Sequence, residues 1–503
     1  MGVIQRQGFK YSVINFVGVA IGIISTLFIY PNALDIIGLF RSLFDASVLA
    51  TIVVLLGSPT SAVRFFPKYQ DAESSHKGLL SWLLIVYGAG FLLFLLFFPF
   101  IHELIHRYIF HERNAIYADF IIYIVPLTFC IGLTNLLARY ISNFRRIVIP
   151  SAFENLTIKI TLPLIILMYL QNWINVEGVV IAIVLSYILS TIGMTAYLYK
   201  LGQYRLTRPL IMEDREALKE YSKFSWYSLL SGIGSQIAFR IDGLMVASIL
   251  EFKSSGIYAV AWAITDVIAK PMRALGAISG PIIANHIETG NLKEVGIIYK
   301  KSSLNMTIIG LGLFLLIWTG LPYIFEIMPN TELMKKGAFV VFFLGLAQVW
   351  DMITGVNGEI ITYSKYYRFN LYLTLFLAIT NIGANLVLID LYGLTGAALA
   401  TCISFFLFNL AKLLFIKVKF GIQPLSAKLI PVIAFGVGSW LVCIFLPDAE
   451  SPFINLIYKS VLFCALYGFS IWKLNLSPDI NQWIMNAIRK LRKVKDVTGE
   501  TKE

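Results

Sequence analysis

The chain has 503 residues, 58% of them hydrophobic and 14% charged, with a formal net charge of +12 and a mean hydropathy of +0.76. Soluble domains carry about 25% charged residues, so this composition excludes a water-soluble enzyme or binding module. Nucleic acid is also excluded as the reason for the positive charge, because the basic residues gather in short links between apolar runs, as in a multi-span membrane protein.

Apolar runs of roughly 20 residues, enough to cross a bilayer, recur about fourteen times. They lie near 11–30, 37–62, 78–99, 116–138, 147–170, 177–199, 224–248, 254–280, 302–321, 337–360, 369–389, 393–416, 427–446 and 453–474. They are called spans one to fourteen below. The first, YSVINFVGVAIGIISTLFIY, is too long for a signal-peptide core and lacks a small-residue cleavage site, so it is read as a membrane helix. Cys130, Cys402, Cys443 and Cys464 fall inside apolar runs without metal-type spacing and are expected to be small buried hydrophobes. The predicted fold class is therefore an all-α polytopic membrane protein.

Between spans three and four lies HELIHRYIFHERNA, in which His102, Glu103 and His106 spell the H-E-x-x-H pattern of zinc peptidases. Such a site also needs a third ligand and a dry cleft around an activated water. The longer form of the pattern requires a glycine and a third histidine where this chain has Ile109 and Glu112. Pro99 is expected to close span three, leaving 101–115 as a short interfacial helix on the outer face. No zinc is expected at His102, Glu103 and His106, and the chain is read as no enzyme.

Links on alternate sides differ sharply in charge. One side holds the N-terminus, Arg64, Lys68, Lys77, Arg145, Arg146, the link 200–223, Lys293, Lys300, Lys301, Lys365, Arg368, Lys417, Lys419, Lys428 and the basic tail. Roughly thirty basic residues on that side against about seven on the other place both termini in the cytoplasm. The chain also repeats itself: KYSVINFVGVAIG at 10–22 resembles KFSWYSLLSGIGS at 223–235. This divides it into an N-terminal six-helix bundle at 1–200, a cytoplasmic linker at 201–223, a second six-helix bundle at 224–417, two extra membrane helices at 425–475 and a cytoplasmic tail at 476–503. A parallel repeat of this kind is a transporter signature.

Charged residues deep in spans are costly, which makes them functional candidates. Span two carries Arg41 and Asp45 one turn apart, span five Lys159 with Glu154, and span seven Arg240 and Asp242. Span eight carries Asp266, Lys270 and Arg273 as a stripe at i, i+4 and i+7, and span ten carries Asp351 and Glu359. Deep bases at least match the acids, which suits an anion. Guanidinium binds phosphate bidentately and lysine adds a point charge, so Arg41, Lys159, Arg240, Lys270 and Arg273 are candidate phosphate ligands, with Asp45 and Asp266 as cavity acids. The simpler alternative is that these charges pair with one another to hold helices together. Asp242, Asn381, Asn385 and Thr401 form a second, oxygen-bearing set suited to a hard cation such as Na⁺, or to an interhelical hydrogen-bond cluster.

Three stretches, FRIDGLMVASILEFKSSGIYAVAWAI, VNGEIITYSKYYRFN and NLVLIDLYGLTGAALATCIS, together with the layout of fourteen spans in two halves, resemble the multidrug/oligosaccharidyl-lipid/polysaccharide (MOP) flippase superfamily. Within it the chain is similar to the bacterial O-antigen and capsule flippases. The resemblance implies two bundles around a cavity lined by spans one, two, seven and eight. It implies an undecaprenyl-diphosphate-linked oligosaccharide carried from the inner to the outer leaflet of the bacterial inner membrane by alternating access, with Arg41, Arg240, Lys270 and Arg273 at positions that hold the diphosphate. Some peptidoglycan-precursor flippases of the superfamily bind Na⁺ through an acid on span seven, two polar residues on span eleven and a hydroxyl on span twelve. Asp242, Asn381, Asn385 and Thr401 match that order, although an acid can stand where this chain has asparagine. No cofactor is implied beyond a coupling Na⁺ or H⁺. Expected partners are the lipid-linked oligosaccharide, membrane lipids and a polysaccharide polymerase, without nucleic acid, and the chain is expected to act as a monomer. The competing readings are a multidrug cation antiporter of the same superfamily, which would favour acids without matched bases, a peptidoglycan-precursor flippase, and, far behind, a membrane zinc protease.

Overall fold

The architecture comes from a computed structural model that describes residues 17–71, 75–110, 112–144, 146 and 148–482. The expected cytoplasmic termini, Arg145 and most of the basic tail lie outside the described residues. Among the described residues every regular element is helical. In lipid no water can pair an exposed backbone group, so apolar runs close their hydrogen bonds within a helix. Helices meet all of the fourteen expected spans: Val17–Asn32, Leu34–Tyr69, His76–Tyr108, Asn114–Ser142, Val148–Leu170, Val176–Lys200, Arg215–Ile249, Phe252–Glu288, Leu292–Ile327, Ala338–Ile353, Phe369–Phe420, Leu429–Phe445 and Pro452–Lys473. The long helix Phe369–Phe420 supplies both spans eleven and twelve, because the backbone turns at Gly393 with φ +56°. The chain is a multi-pass membrane protein.

Two expectations need correction. Pro99 does not close span three: one helix runs from Leu79 through it to Tyr108. Proline removes one backbone donor, but the chain gains more by keeping every other bond internal. The HELIH residues are therefore the last turns of span three, not a separate interfacial helix. Span ten, expected as one run at 337–360, is broken between Ile353 and Asn357.

Contacts divide the chain into two compact units, Met1–Ile264 with Thr374–Ala397, and Thr265–Leu373 with Ala398–Glu503. These units are not the expected halves 1–200 and 224–417. Span seven and the start of span eight belong to the first unit because they pack along span two. Span two is the hub there, touching spans three, four and seven. Its crossing with span eight is made by two glycines: a Cβ at Gly38 would overlap the carbonyl of Phe252, and one at Gly256 would overlap the carbonyl of Leu34. Small residues of this kind let membrane helices approach backbone to backbone. Around this crossing Leu39, Leu43, Leu83, Leu136 and Ile166 are buried.

In the second unit span nine is the hub, packed by spans ten, thirteen and fourteen. Leu311, Phe314, Leu344, Val432 and Phe463 fill this core. The last two spans are also tied by a polar knot. Lys459 of span fourteen donates to Tyr323 Oη at 2.7 Å and pairs with Asp448, while Tyr323 Oη donates to Asp448 Oδ1 at 2.6 Å. The hydrogen bonds from Lys459 and Tyr323 hold the Asp448 carboxyl below the ordinary carboxylate range.

The glycine crossing generates a test. Gly38→Val should lower thermal stability in detergent by about 1–3 kcal/mol or more, the usual cost of overpacking. Gly22→Ala, where a Cβ meets nothing within 4 Å, should leave the unfolding midpoint unchanged.

Candidate functional site

The first unit holds a charged centre built on Asp45, which is fully buried. Its Oδ2 pairs with Arg41 Nε at 2.6 Å, within span two, and its Oδ1 accepts from Arg240 Nη1 of span seven at 2.5 Å. Arg240 Nε also donates to Gln236 Oε1 at 2.8 Å. Each guanidinium lies over an aromatic ring 5.1 Å away, Arg41 over Trp262 and Arg240 over Phe44. Gly243 makes the approach of the two spans feasible, since a Cβ there would come within 3.3 Å of Asp45 Oδ2.

Two cations around one carboxylate leave a formal charge of +1. The arginine side chains are 22% and 21% exposed. Asp45 engages Nε of one guanidinium and Nη1 of the other, so terminal N–H groups remain on both for an incoming anion. Burial of the carboxylate and stacking of the guanidiniums fix the direction of those donors.

The second unit repeats this composition on span eight. Asp266 faces Arg273 Nη2 at 2.6 Å and Lys270 Nζ at 3.8 Å. The predicted i, i+4, i+7 stripe is thus real, again two cations to one acid. Its bases are more open, with Lys270 42% and Arg273 62% exposed. Lys159 stands on another element. It follows the π-helical turn Ala152–Leu156 of span five and lies against span one, where a Cβ at Gly18 would come within 3.6 Å of its Nζ.

Three of the four oxygen-bearing residues lie in the first unit. Asp242, Asn381 and Asn385 meet in the first unit, all buried. Asn385 Nδ2 donates to Asp242 Oδ1 at 2.8 Å, to Asn381 Oδ1 at 2.7 Å and to Asn381 O at 3.0 Å. Tyr258 Oη donates to Asp242 Oδ2 at 3.3 Å. Thr401 is buried but belongs to the second unit. Among the described residues Asn385 Oδ1 is buried without a hydrogen-bond partner, which a native site avoids unless something else meets it. Turning that amide over would bring its oxygen to the place where three other oxygens converge. A hard monovalent cation suits this set, with one carboxylate to balance its charge. Asp242, Asn381 and Asn385 would hold it.

The HELIH side chains are elsewhere. His102 and His106 stack with ring centroids 6.4 Å apart, and His102 also packs on Phe98. Among the described residues no group of three His, Cys, Asp or Glu side chains is placed to hold a metal ion.

Sequence reasoning missed Trp262, Phe44, Gln236 and Tyr258. A signal existed for two of them. Trp262 stands one turn before Asp266 on the face of the charged stripe, and Gln236 stands one turn before Arg240. Phe44 and Tyr258 reach their partners only through packing between helices.

Comparison with known proteins adds the following. The family model described as polysaccharide biosynthesis protein matches residues 11–272. An uncharacterized membrane protein of Methanocaldococcus jannaschii is 23% identical over 398 residues, covering 76% of this chain and 90% of the relative. Among solved structures, the lipid II flippase MurJ in an inward closed conformation superposes with a TM-score of 0.71 at 13% identity, covering 93% of this chain and 99% of that one. An inward-facing multidrug resistance transporter of the MATE family, in the MOP superfamily, superposes with a TM-score of 0.61 at 15% identity, covering 80% of this chain and 93% of that one. These two likenesses concern the fold.

Removing the carboxylate of the first cluster should leave two uncompensated cations. Asp45→Ala is expected to cost about 3–5 kcal/mol, as for other broken buried pairs, measured as thermal or denaturant unfolding in detergent. The combined exchange Arg41→Met, Asp45→Leu, Arg240→Met should recover most of that loss. A stable Asp45→Ala single variant would show that Asp45 does not hold the arginines.

Proposed function

From the premise that the chain belongs to the polysaccharide biosynthesis protein family, we propose that it is a MOP-superfamily flippase that carries an undecaprenyl-diphosphate-linked oligosaccharide from the inner to the outer leaflet of a bacterial inner membrane. The observation that carries this reading is the excess of cation over anion in the buried Arg41–Asp45–Arg240 centre. A diphosphate and a sugar cannot cross hydrocarbon unaided, because each unsatisfied polar group costs several kcal/mol there. Guanidiniums that keep terminal N–H groups beyond those used on Asp45 replace the water around a phosphate, while the prenyl tail needs only lipid. Arg41 and Arg240 act as phosphate ligands in the first unit, and Lys270 and Arg273 act as phosphate ligands in the second. Lys159, against span one, is a further cation for the head group.

A cation exporter is less well served by these clusters, since every acid in them is already outnumbered by bases. A peptidoglycan-precursor flippase remains a second reading on one observation, the Asp242–Asn381–Asn385 cluster with its unpartnered amide oxygen. Both substrates share the polyprenyl diphosphate, so the sugar decides between them. On either reading Na⁺ at that cluster couples movement of the lipid to the ion gradient. A polymerase that consumes the delivered oligosaccharide is the partner this role calls for.

The test uses the purified chain in vesicles carrying fluorescent undecaprenyl-diphosphate sugars, with bleaching of the outer leaflet as the readout. Combined Arg240→Ala, Lys270→Ala and Arg273→Ala should slow flipping at least about tenfold, given about 1.5–3 kcal/mol for each charge-assisted hydrogen bond. Full activity in the triple variant would end the phosphate reading. Replacing Na⁺ by choline should slow the wild type, and Asp242→Asn should remove that difference.

A further inference from the structure

At one end of the second unit, spans nine, ten, thirteen and fourteen enclose a cavity of about 560 Å³. Ligand sites are usually about 300–1,000 Å³. The cavity opens beside the polar knot of Lys459, Tyr323 and Asp448, all three of which line it. Span nine ends there at Ile327, the short helix Thr331–Lys335 follows, and span thirteen stops at Phe445. Apolar runs here give way to Glu326, Glu332, Lys335, Lys336 and Asp448. The cavity thus sits at the level where a bilayer's hydrocarbon meets its head groups. Trp318 and Trp440 line it, and indoles are enriched at that level.

The knot does more than join the last two spans to span nine. Lys459 is 3% exposed, so its charge is withdrawn from bulk water yet stands at the cavity wall. Two of its three N–H groups go to Tyr323 Oη and Asp448 Oδ1, which leaves one for a ligand. Asp448 takes the bonds of both Tyr323 and Lys459 on Oδ1 and is 57% exposed, which leaves Oδ2 open. A knot serving stability alone would be packed over, since protein interiors leave few voids. Glu326 and Lys335 stand at the rim, both exposed. Lys335 pairs with Glu332 at 2.8 Å at the surface, a bond worth little and readily exchanged.

The cavity therefore presents two ammoniums, Lys335 and Lys459, and two carboxylates, Glu326 and Asp448. Their charges sum to zero. An anionic ligand would meet both acids, and a cationic one both lysines. A neutral sugar would give no return for keeping Lys459 out of water. A zwitterion uses all four groups. Its phosphate accepts from Lys335 and from the remaining N–H of Lys459, and its ammonium donates to Asp448 Oδ2 and to Glu326. Leu321, Phe325 and Ile444 add apolar wall. Ile444 and the neighbouring Phe445 are exposed, so apolar surface runs from the cavity to the lipid side of span thirteen.

We propose that this cavity binds the head group of a phosphatidylethanolamine, with the phosphate toward the two lysines and the ammonium toward Asp448 and Glu326. A bound lipid joins spans nine and fourteen through Tyr323 and Lys459 and steadies the last two spans against the hub of their unit. A choline head group lacks N–H donors for the two carboxylates and fits less well. A glycerol head group brings no cation at all. The proposal does not depend on which cargo the protein moves.

Native mass spectrometry of the purified full chain tests it. Delipidated protein is offered an equimolar mixture of phosphatidylethanolamine, phosphatidylglycerol and phosphatidylcholine with the same acyl chains. The wild type should retain phosphatidylethanolamine at least about fivefold over either competitor, the upper end for a solvent-accessible ion pair converted to a ratio. Glu326→Gln should erase that preference. Lys335→Gln should weaken retention of all three lipids, because each carries the phosphate. Both side chains are exposed, so neither exchange threatens the fold. Equal retention of the three lipids by the wild type, or variants that retain phosphatidylethanolamine as the wild type does, overturn the proposal. A photoreactive phosphatidylethanolamine added to the wild type gives the place of binding independently of any variant. Crosslinks to peptides carrying Trp318, Trp440 or Ile444 support the site, and crosslinks confined to other spans overturn it.

Discussion

Asp45 is the constraint on which the first unit's charged centre depends. It holds one arginine from its own span and one from span seven. Without it the two guanidiniums would repel each other in surroundings of low dielectric. With it they are fixed, yet the carboxylate uses only Nε of one and Nη1 of the other. A second acid would cancel the centre's positive charge and leave it poorly suited to phosphate. A hydrophobe in place of the whole set would pack at lower cost, which favours the proposed binding role over a purely stabilising one.

The same constraint explains the glycines around it. A buried carboxylate can reach two spans only if their backbones are close. Gly38 and Gly256 bring span two against span eight, and Gly243 leaves room beside Asp45 itself. Apolar packing, close backbone approach and the ion triad are therefore one arrangement. Trp262 and Phe44 complete it by covering the guanidinium faces, where cation–π attraction is strongest once water is excluded.

What was legible in the sequence followed from local pattern. The spans were legible because each is an apolar run of bilayer length, and Arg41–Asp45 and the span-eight stripe because helical spacing fixes which side chains meet. The Arg240–Asp45 bond was not, since its partners are 195 residues apart and only packing brings them together. Pro99 misled because proline ends helices in water, where freed carbonyls find solvent, but not in lipid. The break in span ten was hidden for the opposite reason. Thr354, Gly355 and Val356 look ordinary within an apolar run, and only the hydroxyls of Ser302 and Ser303 and the amide of Asn409 make a corner there tolerable.

Span seven joins two chemistries of opposite sign. Arg240 and Asp242 are two residues apart, about 200° around a helix, so one faces the Asp45 centre while the other faces Asn385. A helix packed on both sides cannot roll to improve one contact without disturbing the other. On the proposed reading, an anion held by Arg240 acts on the same rigid element as a cation held by Asp242. By linkage, each such ligand would alter the affinity for the other by the same factor. Coupling between the proposed driving ion and a phosphate-bearing cargo would then need no contact between them. It needs only that span seven remain a continuous helix between its two charged residues, as it is from Arg215 to Ile249.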